Sequence, residues 1–174
     1  MRKLTYLFIM LAGVFMTACE KDEVGSTATE CLAGEWYVTV DLVDESGNLK
    51  YTGEEFFGIG KFIVDTYNTA ANTSNEMWLD DMGNFWEFKV KVNANVNDLT
   101  FQTNGAVENT SYEGCDVTVS DGKILPQAAT TPHGTPADSI VFFVSFSDDS
   151  YPAMFGYDKY KISGYRYTGL ASDD

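Results

Sequence analysis

The sequence predicts an all-β domain, an antiparallel up-and-down barrel of eight or nine strands. Several segments alternate apolar and polar residues with a period of two, which is typical of half-buried strands. Turn-forming residues separate these segments, and no stretch sustains a helical period. Aromatic residues, which strands favour, make up 14% of the chain. Taken alone, these features fit either a closed barrel or a two-sheet sandwich.

The first predicted strand is WYVTVDLV at residues 36–43, and it carries one strongly apolar face. That face consists of Trp36, Val38, Val40 and Leu42. The segment DESGN at 44–48 predicts a turn after it. The other predicted strands cover residues 60–67, 75–81, 84–92, 99–103, 115–120, 123–127, 139–147 and 157–169.

One strand and two connections in this pattern carry specific expectations. The strand over 84–92 turns Trp86 and Phe88 to one face by simple alternation. Asp121-Gly122 predicts a tight turn between two short strands. The segment 126–138 contains three of the four prolines, so we expect it to form a surface loop.

The N-terminus has the features of a secretory signal peptide over residues 1–18. Arg2 and Lys3 form a positive start, and an apolar run that is too short to span a bilayer follows them. The ending MTAC at 16–19 resembles the bacterial lipobox, in which cleavage occurs just before the cysteine. The resemblance implies that Cys19 becomes the acylated first residue and anchors the protein to a membrane.

The segment 19–30 is expected to be an acidic and flexible spacer between the anchor and the barrel domain, which covers 31–174. Its start, EKDE at 20–23, resembles the export signal that sends lipoproteins of the Bacteroidota to the outer face of the outer membrane. An ordinary solvated linker is the alternative for these residues. The sequence thus predicts an outer-membrane, lipid-anchored protein that is exposed at the cell surface.

The charge of the chain excludes one class of partner. The sequence contains 26 acidic and 11 basic side chains, which give a net charge of −15. A field of this sign repels nucleic acid and anionic headgroups, so we expect no nucleic acid partner.

Three cysteines occur, and two remain once Cys19 is acylated. Cys31 and Cys115 would lie in an exported domain, where disulfides persist, so a bridge between them is predicted. Two separate buried thiols are the alternative.

The two ends of the predicted domain favour the barrel over the sandwich. Gly34 and Trp36 in LAGEWYVTV resemble the lipocalin signature, which implies a tryptophan that plugs the closed end of a calycin-like barrel. Arg166 lies in the last predicted strand on its apolar face, where a guanidinium could stack on the indole without an acidic partner. Together with the lipoprotein signal, the GEWY start and the GYRY finish resemble the Bacteroidota lipoproteins grouped as lipid-binding putative hydrolases.

The sequence offers little support for the catalytic part of that family label. His133 is the only histidine, and its sequence neighbours Asp138 and Ser139 form no recognisable nucleophile motif. We therefore predict no catalytic residue. A single histidine with two bridged cysteines also supplies no zinc site, so neither a metal nor a cofactor is expected.

These observations predict an anchored barrel that binds a small hydrophobic, lipid-like ligand at the end opposite Trp36. An eight-stranded barrel either fills with side chains or holds one small ligand. One alternative is a filled barrel that acts as a surface interaction module and contacts a glycan-uptake complex or another protein, with an outer-membrane protein complex as a candidate partner. The other alternative is a hydrolase. The side chains expected to line the ligand site are Val40, Leu42, Trp86, Phe88, Phe142 and Phe146.

Overall fold

The computed structural model describes residues 25–170, which form one closed antiparallel barrel of eight strands with two additional short strands and two short helices. The all-β barrel expected from the sequence is therefore confirmed. The predicted signal peptide and Cys19 lie outside the described residues. Neither helix within 25–170 is long and apolar enough to cross a membrane.

The strands are, in chain order, β1 Gly34–Val43, β2 Leu49–Thr52, β3 Phe62–Asn68, β4 Glu76–Asp80, β5 Lys89–Asn95, β6 Thr100–Gln102, β7 Val107–Glu108, β8 Asp116–Thr130, β9 Pro136–Phe146 and β10 Lys159–Arg166. The helices are α1 Gly53–Phe57 and α2 Tyr151–Phe155.

Neighbouring barrel strands follow one another in the order β1, β3, β4, β5, β6, β8, β9 and β10. The barrel closes where β10 pairs with β1, with Trp36 opposite Arg166 at one end and Val43 opposite Lys159 at the other. We call the end at Trp36 the closed end and the end at Val43 the mouth. β2 and β7 are additional strands that pair with β1 and β8.

The barrel interior is one continuous apolar core, because alternate residues of each strand point inward. On β1 the predicted inward row is buried, from Trp36 through Val38 and Val40 to Leu42. On β10 the inward residues Tyr160 and Ile162 are likewise buried. Sequence periodicity therefore identified the inward faces of the first and last strands correctly.

The predicted turn at Asp121-Gly122 is wrong, because β8 is one continuous strand through these residues. The pairing of β8 with β9 shifts its register between Ser120 and Lys123, which marks a β-bulge. Only Asp121 has a positive φ, of 53°, whereas the tight turn expected for Asp-Gly needs positive φ at both residues. A Cβ on Gly122 would lie 2.4 Å from the carbonyl oxygen of Phe101, so close packing against β6 explains the glycine.

The predicted loop over 126–138 is also mostly strand. Thr130 pairs with Pro136 and Ala129 with Ala137, so β8 and β9 continue into a hairpin at the closed end. The prolines are tolerated because Pro136 is the first residue of its strand and Pro126 lies beside a second irregularity in the pairing.

Ordered structure begins earlier than the predicted spacer allows. Thr29 is fully buried, and the backbone N–H of Ala28 donates to Asn72 Oδ1 at 2.9 Å. The backbone N–H of Leu32 donates to the carbonyl of Thr29 at 2.9 Å, and Leu32 itself is buried in the core. Residues 28–30 therefore pack on the barrel and are not part of a flexible spacer.

The predicted Cys31–Cys115 disulfide is absent, and both cysteines are free. Cys31 is at the closed end, where its thiol points to the carbonyl of Val96, the residue after β5. Cys115 is at the mouth, close to the start of β5, because its carbonyl accepts from Asn109 in the segment bonded to Lys89. The seven residues of β5 separate the two ends by about 20 Å, whereas a disulfide requires Cα atoms within about 7 Å.

Candidate functional site

The closed end is sealed by a polar and aromatic cluster around Trp36. The Arg166 guanidinium carbon lies 4.4 Å from the centre of the Trp36 ring. Trp36 Nε1 donates to Thr66 Oγ1 at 2.8 Å, and that hydroxyl donates to the carbonyl of Leu32 at 2.7 Å. A Cβ on Gly34 would lie 2.5 Å from Arg166 Nη1, so only glycine leaves room for the guanidinium.

The expectation that Arg166 needs no acidic partner is wrong. Arg166 Nε lies 3.3 Å from Asp138 Oδ2, and Nη1 donates to the carbonyl of Ala33. Asp138 could not be assigned to this role from the sequence, because the segment around it was expected to be a loop. Its placement on β9, next to β10, brings its carboxylate to Arg166.

The mouth is covered by two short helices whose local sequences explain their ends. The N-cap of α1 is Thr52, whose hydroxyl accepts from the backbone N–H of Glu55, while the Glu55 carboxylate accepts from the backbone N–H of Thr52. It ends at Gly58, which has a φ of 72°. α2 has a proline in its first turn and also ends at a glycine with positive φ. Both helices are only five residues long, so no hydrophobic period could reveal them.

The loop between β4 and β5 turns inward over the mouth because it wraps around a buried carboxylate. Asp81 is completely buried, and its Oδ2 accepts from the backbone N–H groups of Trp86 at 2.7 Å and Phe85 at 3.2 Å. Its Oδ1 accepts from the backbone N–H of Gly83 at 2.9 Å. Burial raises the pKa of Asp81, and these backbone hydrogen bonds oppose that rise.

The strand predicted over 84–92 therefore starts later, at Lys89. Residues 81–88 form the loop around Asp81, and Glu87 has a φ of 51°. As a result Phe85 and Trp86 do not alternate between two faces as predicted. Both rings join the same aromatic cluster at the mouth, and they contact each other with centroids 5.7 Å apart.

We call this group of rings the mouth cluster, and Phe85 lies at its centre. The Phe85 ring contacts Tyr160 at 5.1 Å, and it contacts Phe57 and Phe62 at 5.9 Å. The other members, on β9, α1, α2 and their neighbours, are Phe56, Trp86, Phe146, Tyr151, Phe155 and Tyr157. Rings from α1, β3, the loop around Asp81, β9, α2 and β10 thus close the mouth.

A depression of about 540 Å³ lies over the mouth cluster. Its walls are mainly aromatic, and the lining side chains include Phe57, Phe85, Trp86, Glu87, Tyr112 and Tyr151. Small-molecule sites typically combine aromatic side chains with a few polar groups, and this depression, which is open to solvent, has both. This depression is therefore the candidate binding site.

Two carboxylates, Asp148 and Asp149, hold the walls of the depression in place, and Asp148 bonds to two of the lining side chains directly. Asp148 accepts from Tyr112 Oη at 2.8 Å and from Trp86 Nε1 at 3.2 Å. Burial acts to raise the pKa of Asp148, but hydrogen bonds from Cys115, Tyr112 and Trp86 outweigh it and lower that pKa below its usual value. The Asp148 side chain is therefore an anion across the neutral pH range.

Asp149 connects α2 to the interior. Its Oδ1 accepts from the backbone N–H of Tyr151, the first residue of α2, at 2.8 Å. Its Oδ2 accepts from Tyr160 Oη at 2.6 Å and from Tyr157 Oη at 3.2 Å. Burial raises the pKa of both tyrosines, and Asp149 raises them further, so both phenols stay protonated.

The six residues predicted to bind ligand occupy different depths of the barrel. Trp86 lines the depression, and it stacks on Phe146 with ring centroids 4.9 Å apart and planes 8° apart. Phe88 lies next to Phe146, at 5.5 Å, and is fully buried. Two further residues, Val40 and Leu42, are buried on β1, and Phe142 contacts Phe101 in the core.

The structure brings Trp86, Phe88 and Phe146 together and leaves the other three in the packed core. No sequence pattern pointed to the aromatic residues that come from the helices and their flanks. These are Phe56, Phe57, Tyr151, Phe155 and Tyr157. The capping box before Phe56 and the proline after Tyr151 were the only local signals for them.

The residues weighed for catalysis do not meet. His133 is exposed at the tip of the β8–β9 hairpin. The Ser139 hydroxyl donates to the carbonyl of Gly164 at 2.8 Å, and Asp138 pairs with Arg166. Within residues 25–170, no group of three His, Cys, Asp or Glu side chains is arranged to hold a metal ion.

Comparison with known proteins agrees with this geometry. No match was found among curated proteins. A family model described as lipid-binding putative hydrolase matches residues 21–171, which include every strand of the barrel and the whole mouth cluster. The chain therefore belongs to the lipid-binding putative hydrolase family.

Proposed function

We propose that this chain is an outer-membrane-anchored lipoprotein whose barrel binds a small hydrophobic, lipid-like ligand at the mouth. The family and the closed barrel both support lipid binding. The aromatic depression of about 540 Å³ over the mouth cluster is the observation that supports a binding site at the mouth. Its volume is within the range of small-molecule pockets, and its aromatic rings offer apolar surface to an acyl chain.

A longer ligand would need space below the depression, which the mouth cluster fills. The loop carrying Phe85 and Trp86 is the element that must move, because Phe85 lies between α1 and the inner rings. Displacing Phe85 would connect the depression to Phe88 and Phe146 beneath it. The predicted ligand residues deeper in the barrel, Phe142, Val40 and Leu42, would then line the inner end of the site.

Native mass spectrometry of the protein purified from its own host tests this function. We expect a bound mass in the range of lipids that survives gentle ionisation and disappears in the Trp86→Ala variant. Trp78→Ala is the matched control, because Trp78 lies on the outer face beside Lys89 and Lys91. Protein that carries no lipid mass and binds no added aliphatic probe would contradict the proposal.

The anchor and the location are separate parts of the proposal, supported by the sequence of residues 1–30. Cys19→Ser should leave an unprocessed precursor that incorporates no labelled fatty acid. Replacing Lys21, Asp22 and Glu23 with alanine should keep the label but remove sensitivity to protease added to intact cells. Retention of label by Cys19→Ser, or equal protease sensitivity in both forms, would contradict these assignments.

An interaction module is the second candidate, and one observation favours it. Met154 and Phe155 on α2 and Leu49 on β2 are exposed apolar side chains at the mouth. If this rim contacts an outer-membrane protein or a glycan-uptake complex, Met154→Glu should abolish co-purification of that partner and leave lipid binding unchanged.

A further inference from the structure

The chemistry of the depression indicates which lipid headgroups it accepts. Five of its lining side chains are aromatic, namely Phe57, Phe85, Trp86, Tyr112 and Tyr151. Aromatic faces attract cations through the negative charge above and below the ring, and several faces around one space form the cage that binds quaternary ammonium groups. The aromatic lining of the site is therefore suited to a cationic head as well as to an apolar chain.

The charged groups at the mouth also favour a cationic headgroup. Glu87 lines the depression, and the Asp148 carboxylate lies behind two of the walls, bonded to Trp86 and Tyr112. Neither carboxylate has an ion pair within the described part of the chain. An anionic headgroup placed here would face these two negative charges without a compensating cation.

The lysines nearest this end of the barrel are engaged elsewhere. Lys50 pairs with Asp44 at 3.6 Å, and Lys89 pairs with Asp80 at 3.3 Å on the outer face of the sheet. Lys159 lies over the ring of Phe143, 4.4 Å from its centre. None of the residues that line the depression is basic.

From these observations we propose that the mouth depression binds the ammonium head of a cationic amphiphile and discriminates against anionic lipids such as fatty acids. The proposal rests on the proposed lipid-binding function and specifies its ligand class. The trimethylammonium or amine head would lie among Trp86, Tyr112 and Tyr151, with Asp148 and Glu87 supplying the countercharge, and the chain would extend toward Phe146.

Three probes with the same ten-carbon chain separate the headgroup from the chain. They are decyltrimethylammonium, decanol and decanoate, each titrated calorimetrically into the purified full chain below its micelle concentration. We expect decyltrimethylammonium to bind at least about tenfold more tightly than decanoate, with decanol between them. The difference should shrink as salt is added, because the carboxylates are exposed.

Three variants at the mouth and one control at the closed end test whether the preference for the ammonium head arises at the mouth. Glu87→Gln and Asp148→Asn should each weaken decyltrimethylammonium about threefold to fivefold more than they weaken decanol, so that the loss is specific to the charged head. Glu30→Gln removes the same charge at the closed end, so it controls for the net charge of the protein and should change neither probe. Trp86→Leu should reduce the preference for the ammonium over decanol, because it removes one wall of the cage.

The outcomes distinguish the two proposals. Binding of decanol, with decanoate as tight as or tighter than the ammonium, would overturn the headgroup assignment and leave lipid binding standing. Equal loss of ammonium affinity in Glu30→Gln and Glu87→Gln would also overturn it, since the effect would then come from net charge alone. Failure of all three probes to bind would overturn both the headgroup assignment and the proposed function.

Discussion

Arg166 and Trp36 face each other across the seam of the barrel, and the guanidinium stacks 4.4 Å from the centre of the indole ring. Because β1 and β10 come from opposite ends of the domain, this contact ties the first strand to the last. The indole is fully buried and hydrogen-bonded, and the guanidinium covers it from the closed end. The same pair therefore lies where the barrel closes and also covers one end of the hydrophobic core.

A double-mutant cycle should show that the two residues act together. Trp36→Ala should lower the free energy of unfolding by about 3–5 kcal/mol, because it leaves a cavity in the core. Arg166→Ala should also destabilise, and the double variant should lose less than the sum of the single losses, since each change removes the same contact. Urea denaturation of the four proteins measures this coupling. Additive losses would mean that the stack contributes nothing to stability.

Gly34→Ala should destabilise the barrel by about 1–3 kcal/mol, because the new methyl group would displace the guanidinium from the indole. A Cβ built on Gly34 would lie only 2.5 Å from Arg166 Nη1. Gly60→Ala is the control, since a Cβ there meets no atom within 4 Å. Thermal unfolding of both variants checks the difference, and an equal effect of the two substitutions would contradict it.

Asp81→Asn should loosen the mouth. The amide nitrogen of asparagine donates where Oδ2 accepts from Phe85 and Trp86, so at least one buried backbone N–H would lose its partner, at a cost of about 2–3 kcal/mol. The indole of Trp86 should then become more accessible to acrylamide quenching. Asp116→Asn, at an exposed aspartate, serves as the control. Unchanged quenching in Asp81→Asn would show that the carboxylate does not hold the loop.

Asp65→Asn should stabilise the protein at pH 7 by about 0.5–1 kcal/mol, because it relieves like charges directly opposite on neighbouring strands. Asp65 pairs with Glu35 on β1 and Asp80 on β4. Burial, together with these two carboxylates, raises the pKa of Asp65 above 3.8 in the folded protein. The ionised form is therefore disfavoured by folding.

The sign of the pH dependence follows from this raised pKa. The stability that Asp65 contributes is complete below pH 3.8 and is lost as the pH rises through its higher folded value. The gain in stability from Asp65→Asn should accordingly vanish below pH 3.8. Denaturation measured at pH 7 and again below pH 3.8 checks this. Asp41→Asn is the control, because Asp41 faces Lys161 across β1 and β10 and should gain nothing. An advantage for Asp65→Asn that persists in acid would contradict the charge explanation.

The two cysteines should react with thiol reagents at different rates. Cys31 is exposed and should be labelled at once in the native protein, whereas Cys115 is buried, and burial raises the pKa of its thiol. Labelling of Cys115 should therefore wait for unfolding. Mass spectrometry of the labelled protein counts the modified cysteines in the native and the unfolded state. Mass spectrometry of the unlabelled protein before and after reduction shows whether a disulfide is present. A mass gain of two hydrogens on reduction, lost in Cys31→Ser, would show that the bridge forms after all.

The sequence by itself determined the fold class, the approximate position of most barrel strands and the inward face of β1 and β10. These features could be inferred because a strand with one buried face alternates apolar and polar residues, and this pattern is visible in a short stretch of sequence. It also placed Trp36 and Arg166 on the inward faces of the first and last strands, at the two ends of the domain sequence. The free cysteines could not be predicted, because the separation of Cys31 from Cys115 depends on which end of the barrel each residue reaches.

Only the tertiary structure decided how the mouth is built. The loop around Asp81 breaks the alternation that made 84–92 resemble one strand, and the reason is a set of hydrogen bonds to one buried carboxylate. The helices that carry Phe57 and Tyr151 are too short to leave a periodic pattern. Their rings come from segments far apart in the chain, and they meet only because closure of the barrel brings those segments to the same end.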